Sequence, residues 1–218
     1  LGEIALLISL ENHFLPYHNL GHHRNVATPE DPATARLNEP VYTFWIRSQF
    51  GSYWQAWQFE MNKQRRMKRN PFSLRNRMVG YTIAQIGLIS SIFFAFGWKT
   101  MLAFVAAAII GKLHLETVNY IEHYGLTRKV KPDGKYERVM PWHSWNSDHV
   151  LGRSIMLELS RHSDHHYKAS KHYQILDSFN ESPQMPTGYP GMMIFSLFSP
   201  VWFWYMNKRI DKMKGKSN

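Results

Sequence analysis

The sequence predicts an all-α fold, an integral-membrane helical bundle, and three observations carry that prediction. Residues 78–98 hold no formal charge, and residues 101–111 are again apolar after the interruption at Lys99-Thr100. About twenty apolar residues wound as a helix span roughly 30 Å, the thickness of a bilayer core. Basic residues crowd the outer flanks of this pair: Lys63-Gln64-Arg65-Arg66-Met67-Lys68-Arg69 before it, and Arg128, Lys129 and Lys131 after it. We therefore expect two spans, about 78–98 and about 100–118, joined by a short turn at Gly97–Thr100. The positive-inside rule then puts both outer ends of this hairpin in the cytoplasm.

The remaining elements follow in chain order. Residues 1–17 are mostly apolar and read as the tail of a helix. They lack the charged leader and small-residue cleavage site of a signal peptide. Residues 24–40 carry Pro29, Pro32 and Pro40 and read as an extended loop. Residues 41–70 are amphipathic and helical in pattern. Residues 127–149 are polar, with Pro132-Asp133-Gly134 as a turn. Residues 150–175 are expected to be helical. Residues 191–206, with Trp202-Phe203-Trp204-Tyr205 and Pro200, suit an interfacial or re-entrant segment better than a full span. All of this fits one domain, 1–218.

Composition narrows the chemistry. The 218 residues carry 26 Lys+Arg against 16 Asp+Glu, a net charge of +10, with eight tryptophans and no cysteine. The absence of cysteine removes disulfides, Cys-ligated zinc and Cys-held iron–sulfur clusters. The basic run adjoins a span, so a membrane-lipid or positive-inside role accounts for it and no nucleic-acid partner is expected.

Seven of the twelve histidines fall in three places. His18 and His22 are four residues apart, on one face if helical, with His23 one step around. His123 follows Glu122 just past the second span. His162, His165 and His166 share a helical face, with Asp164 beside them. Seven imidazoles exceed what one ion accepts, so two ions are the economical reading. Imidazole suits Fe, Zn, Cu and Ni alike. Hydrophobic spans beside the site point to an apolar substrate arriving from the lipid, and inert C–H bonds call for iron and O2 rather than zinc-activated water. All three places fall on the predicted cytoplasmic side.

These residues resemble the membrane-bound alkane 1-monooxygenase family, within the desaturase/hydroxylase-like multi-histidine di-iron proteins. The resemblance rests on His18-Asn19-Leu20-Gly21-His22-His23-Arg24-Asn25-Val26-Ala27-Thr28-Pro29-Glu30-Asp31-Pro32, on Asn119 to Gly125 (NYIEHYG), and on Arg161-His162-Ser163-Asp164-His165-His166. His143-Ser144-Trp145-Asn146 and Pro183 to Tyr189 also match, and the likeness covers nearly the whole chain. It implies two Fe ions in a cytoplasmic histidine-rich site held by His18, His22, His23, His123, His162, His165 and His166. Asp31, Glu116, Glu122 and Asp164 are the candidate acceptors for the ring N–H groups. It further implies hydroxylation of an n-alkane with O2, rubredoxin as electron donor, and a multi-pass location in the inner (plasma) membrane. Two departures accompany it. The family's His-Glu-x-x-His box would lie upstream of Leu1, so the chain is expected to be N-terminally truncated. Tyr17 stands where the family often has Glu, with Glu11 as a conceivable substitute. Two other readings stay open: a fatty-acyl desaturase or hydroxylase, and a non-enzymatic metal-binding membrane protein.

Overall fold

The computed structural model describes residues 2–215; Leu1, at the head of the expected first helix, and residues 216–218 lie outside the described residues. Regular structure among the described residues is helical. Pairing of the β kind is confined to two isolated bridges, Val130 with Tyr136 and Asn146 with Gln184. The main helices are α1 (Gly2–Ile8), α2 (Phe14–Tyr17), α3 (His23–Asn25), α4 (Val41–Arg66), α5 (Arg77–His123), α6 (Val150–Ile155), α7 (His162–Tyr167), α8 (Tyr189–Ser196) and α9 (Ser199–Lys214), with a π turn at His18–His22. They fall into two compact units. One comprises residues up to His22 with Gln49–Leu115; the other comprises His23–Ser48 with the residues from Glu116 onward.

The helix α5, whose residues up to Leu115 belong to the first unit, is long and apolar enough to cross a membrane. Only 6% of its most apolar window is buried, the reverse of a soluble core helix. Helical backbone fails at Gly97 (φ 80°, ψ 171°), a conformation open essentially to glycine alone. The break is confined to that residue, and 98–100 remain helical rather than forming the expected wider turn. Past it the chain folds back. Gln85 Nε2 donates to Asn12 Oδ1 at 3.2 Å, while Lys112 Nζ lies 3.4 Å from Glu11 Oε1. A straight helix would hold Gln85 and Lys112 about 40 Å apart, too far for two consecutive residues to touch both.

The second unit is built on an aromatic core. Tyr120 and Tyr124, on the last turn of α5 and just after it, pack on Trp202 of α9 with ring centroids 5.5 and 5.4 Å away, and Phe44 of α4 meets Tyr120 at 5.3 Å. All four side chains are buried, and each contributes about 1.5–3 kcal/mol of apolar burial. Both phenols are satisfied: Tyr120 donates to the Glu39 carbonyl (2.7 Å) and Tyr124 to Asn207 Oδ1 (2.9 Å). This anchors the helix end that carries His123.

The stretch 150–175 is not the continuous helix its pattern suggests. It breaks between α6 and α7, where Leu157 and Glu158 adopt left-handed φ values of 49° and 67°. Paired charges hold the break: Arg153 forks onto Glu158 at 2.8 and 3.0 Å. A part-exposed pair of this kind contributes little by itself, and the Ser147 amide, donating to the Ser160 carbonyl at 2.9 Å, also holds the segment after the break.

Candidate metal centre

His123 ends α5, and the chain turns immediately. Gly125 has φ +68°, and a Cβ there would meet Ile210 Cδ1 at 2.5 Å and Leu37 Cδ1 at 3.0 Å. A glycine just past a helix end accepts the left-handed cap at no steric cost. The last carbonyls of α5 then find donors in the segment beyond: Trp145 gives its backbone N–H to Glu122 O (2.8 Å) and its indole N–H to Tyr124 O (3.0 Å). Residues 143–146, matched in sequence without an assigned role, therefore seal the end of the helix that carries His123.

One turn of α7 projects His162, His165 and His166. Arg161 anchors its start, donating to the Leu176 carbonyl at 2.7 Å and pairing with Asp148 at 3.1 Å. Behind the helix, Ser163 donates to Asn146 Oδ1 (3.1 Å) and accepts from Ser182 (2.8 Å). Asn146 in turn bridges to the Pro183 carbonyl and the Met185 amide at 2.8 Å each.

The nitrogens of His123, His162 and His166 gather here, all three residues buried. His162 Nε2 lies 3.1 Å from His123 Nε2 and 2.8 Å from His166 Nε2. The other nitrogen of His162, Nδ1, faces Glu122 Oε1 at 3.2 Å, and the same oxygen accepts from the Tyr189 hydroxyl at 2.8 Å. An ionised Glu122 places the proton of a neutral His162 on Nδ1 and leaves a lone pair at Nε2. Burial pushes the Glu122 carboxyl well above the usual range, opposed by the Tyr189 hydrogen bond. Nitrogens bound to one ion at about 2.1 Å lie about 3.0–3.4 Å apart; the 3.1 Å spacing falls in that range and the 2.8 Å spacing just below it. Lone pairs aimed at one another in a buried site repel unless a positive charge sits among them. On that test the residues fit a metal.

His23 and His165 form a second gathering, half-buried, with ring centroids 4.7 Å apart; His23 also lies 4.9 Å from the His166 ring. The loop after His23 is held by Arg128, whose amide donates to Ala27 O (2.7 Å) and whose Nη2 donates to Arg24 O (2.9 Å). His18 and His22 belong to the first unit. The π turn stacks their rings at 5.4 Å and 29°. Gly21 brings that turn against α4, since a Cβ there would sit 2.8 Å from the Phe59 ring.

The candidate carboxylates divide. Glu122 meets the His162 ring. Asp31 accepts from Thr34 Oγ1 at 2.6 Å within its own loop. Asp164 Oδ2 accepts from Lys171 Nζ (2.5 Å) and the Asp177 amide (2.7 Å). Glu116 is buried on α5. Glu11 serves His13 Nδ1 (3.3 Å), Lys112 and Gln49 (3.1 Å), while Tyr17 is buried beside His22 at 6.1 Å. Of the other histidines, His143 accepts from the Met140 amide (3.0 Å) and faces Glu137 (3.2 Å), whereas His114, His149 and His172 are exposed. Tyr189 and Lys171 were missed from the sequence. Tyr189 sits inside the matched stretch 183–189, but a tyrosine reveals no partner until the fold supplies one.

Residues 2–196 match the fatty acid desaturase family model. The chain is 41% identical over 203 residues to alkane 1-monooxygenase 1 of Alcanivorax borkumensis, covering 93% of this chain and 50% of that protein. It is 39% identical over 210 residues to the alkane 1-monooxygenase of Acinetobacter baylyi, covering 96% and 52%. It is 29% identical over 182 residues to the hydroxylase component of the xylene/toluene monooxygenase of Pseudomonas putida, covering 84% and 48%. The chain spans about half the length of the curated relatives it matches. With a desaturase-family match along almost all of its length and a buried histidine cluster of metal-binding geometry, the chain belongs to the fatty acid desaturase family, in kinship with the alkane 1-monooxygenases.

Proposed function

We propose that this chain forms most of the catalytic core of a membrane-bound, di-iron alkane 1-monooxygenase. The convergence of three buried imidazole nitrogens on one point carries the metal part of the reading; the named relatives carry the substrate class. The overall reaction takes an n-alkane, O2, two electrons and two protons to a primary alcohol and water. Bound iron supplies the reductive activation of O2 that an inert C–H bond requires. The ligands are His18, His22, His23, His123, His162, His165 and His166. His18 and His22 join the set through the unbroken run into His23. Glu122 and Tyr189 hold His162 in the tautomer that offers Nε2. Asp31, Glu116 and Asp164 act as further polar supports, Asp164 by tying α7 to Lys171 and Asp177. Burial of the three-histidine group keeps bulk water from competing for its nitrogens. We further propose rubredoxin as electron donor, a multi-pass inner-membrane location through the two limbs of α5, and a metal site on the cytoplasmic side.

The test is made on the full-length gene product, with iron per chain and oxidation of octane to 1-octanol in the presence of rubredoxin as readouts. His165→Ala should abolish turnover while the protein still inserts; retained turnover would refute the ligand assignment. A second reading, action on a fatty-acyl chain, is favoured only by the family's name. Desaturated or hydroxylated lipid with no octanol formed would select it.

A further inference from the structure

The second unit ends in a surface that the metal centre does not use. Along α8 and α9 the residues Ile194, Leu197, Phe198, Val201 and Trp204 are exposed, Ile194 at 63% and Trp204 at 62%. Val201 and Trp204, three residues apart, share one face of α9; Ile194 lies on α8, and Leu197 and Phe198 form the turn between the two helices, where Phe198 leaves helical backbone (φ −100°, ψ 69°). The opposite face of α9, Trp202, Met206 and Ile210, is buried in the core together with Met192 of α8. Tyr42 and Ile46 of α4 are exposed in the same unit, and the Tyr42 hydroxyl donates to the Leu197 carbonyl at 2.9 Å. So large an apolar surface has a purpose in water-soluble and membrane proteins alike.

Its chemistry changes abruptly after Trp204. The next exposed positions on that face are Lys208, Asp211 and Lys212. Lys208 Nζ sits 4.0 Å above the Trp204 ring centroid. The Arg209 guanidinium lies 5.2 Å from the Tyr205 ring, with Nη2 3.1 Å from the Tyr205 hydroxyl and Nη1 3.4 Å from the Gln184 carbonyl. Trp204, Tyr205, Lys208, Arg209 and Lys212 line a shallow groove of about 350 Å³. Against its three cations stands one carboxylate on the same face, Asp211. Val201 and Lys208 are seven residues apart, about 10 Å along the helix. Aliphatic, then tryptophan, then lysine over that distance reproduces the order acyl chain, interface, phosphate layer.

We propose that this groove is a binding site for the headgroup of an anionic phospholipid, with the apolar stripe of α8 and α9 lying in the acyl layer beside it. The proposal rests on the membrane reading above. Charge complementarity selects an anionic headgroup over a zwitterionic one. The graded order selects a bilayer over an acidic protein, which would have no use for the aliphatic end. Trp204 and Tyr205 align two of the cations through their rings, and Lys212 completes the cluster one turn on.

The experiment uses the full-length protein in detergent, with native mass spectrometry counting bound dioleoyl phosphatidylglycerol and dioleoyl phosphatidylcholine. Each lysine near a charged surface is worth about a fivefold change in binding. Lys208→Gln with Lys212→Gln should weaken phosphatidylglycerol binding roughly 25-fold and leave phosphatidylcholine unchanged. Lys63→Gln with Lys68→Gln should not reproduce that loss. A parallel arm compares quenching by brominated lipid in bilayers for the wild type and Trp204→Phe. The difference should place Trp204 at the interface. Equal binding of both lipids by wild type and variant, with Trp204 quenched, overturns the headgroup site and leaves the membrane reading standing. Failure of the protein to partition into bilayers overturns both. Binding of an acidic protein that the double variant loses, with no change in lipid count, also overturns the proposal.

Discussion

One ring, His162, faces two partners at once. Its Nδ1 is tied to a carboxylate that Tyr189 also holds, and its Nε2 points at two other imidazoles. Removing the Tyr189 hydroxyl by Tyr189→Phe leaves Glu122 buried with one fewer donor. The expected stability loss is about 1–3 kcal/mol, with iron affinity down about 10–100-fold. Denaturant unfolding and a competitive chelator titration read the two effects separately. Lost stability with unchanged iron affinity would reduce Tyr189 to a packing residue. A second residue makes a prediction about pH. His13 is buried, and burial, helped by the charge of Lys112, drives its pKa down to about 3. Burial pushes its neighbour Glu11 up, against the pull of Lys112. Below about pH 6.5 an unfolded His13 gains a proton that the folded site refuses until about pH 3. Stability therefore falls as pH drops through that window, by at most about 1.4 kcal/mol per unit. The slope of unfolding free energy between those limits should be shallower in His13→Gln; identical slopes would mean that the folded imidazole is already charged.

At the scale of elements, two glycines decide where α5 bends and where it stops. Gly97 breaks it where a Cβ would meet no neighbour, so its requirement is purely conformational; Gly125 ends it where a Cβ would collide with Ile210. Gly125→Ala combines a positive φ with overpacking, and an expected loss of about 2–4 kcal/mol follows. Because the strain falls two residues beyond His123, iron occupancy should fall with stability. Calorimetry and iron content of the same preparation check this, and a variant of normal stability would show that α9 yields at Ile210. The short α7 is the other decisive element. Six residues cannot hold a helix in isolation, and its hydrogen bonds to Asn146, Ser182, Leu176 and Asp177 supply what propensity does not.

Over the whole molecule, the proposed metal would link binding to folding. Chelation of the full-length protein should lower its unfolding midpoint, with readdition of ferrous iron restoring it. At a thousandfold excess over Kd the ion is worth about 4 kcal/mol. A midpoint indifferent to chelator would argue that protons, rather than a metal, stabilise the cluster. Local pattern established the all-α class, because periodicity and uncharged runs are properties written in composition. It also determined which histidines to watch, since spacings of three and four already imply a shared helical face. The position of the backbone break at Gly97 was readable for the same local reason. The pairings that complete the site are long-range. Nothing local says that Glu122 meets His162 across forty residues, that Tyr189 shares that carboxylate, or that Asp164 turns to Lys171. Nor could periodicity foresee the rupture of 150–175 at Leu157 and Glu158, whose left-handed backbone no local pattern announces. Side-chain partners depend on which elements the burial of Trp202, Tyr120 and Tyr124 draws together, and that is a property of packing, not of any one segment.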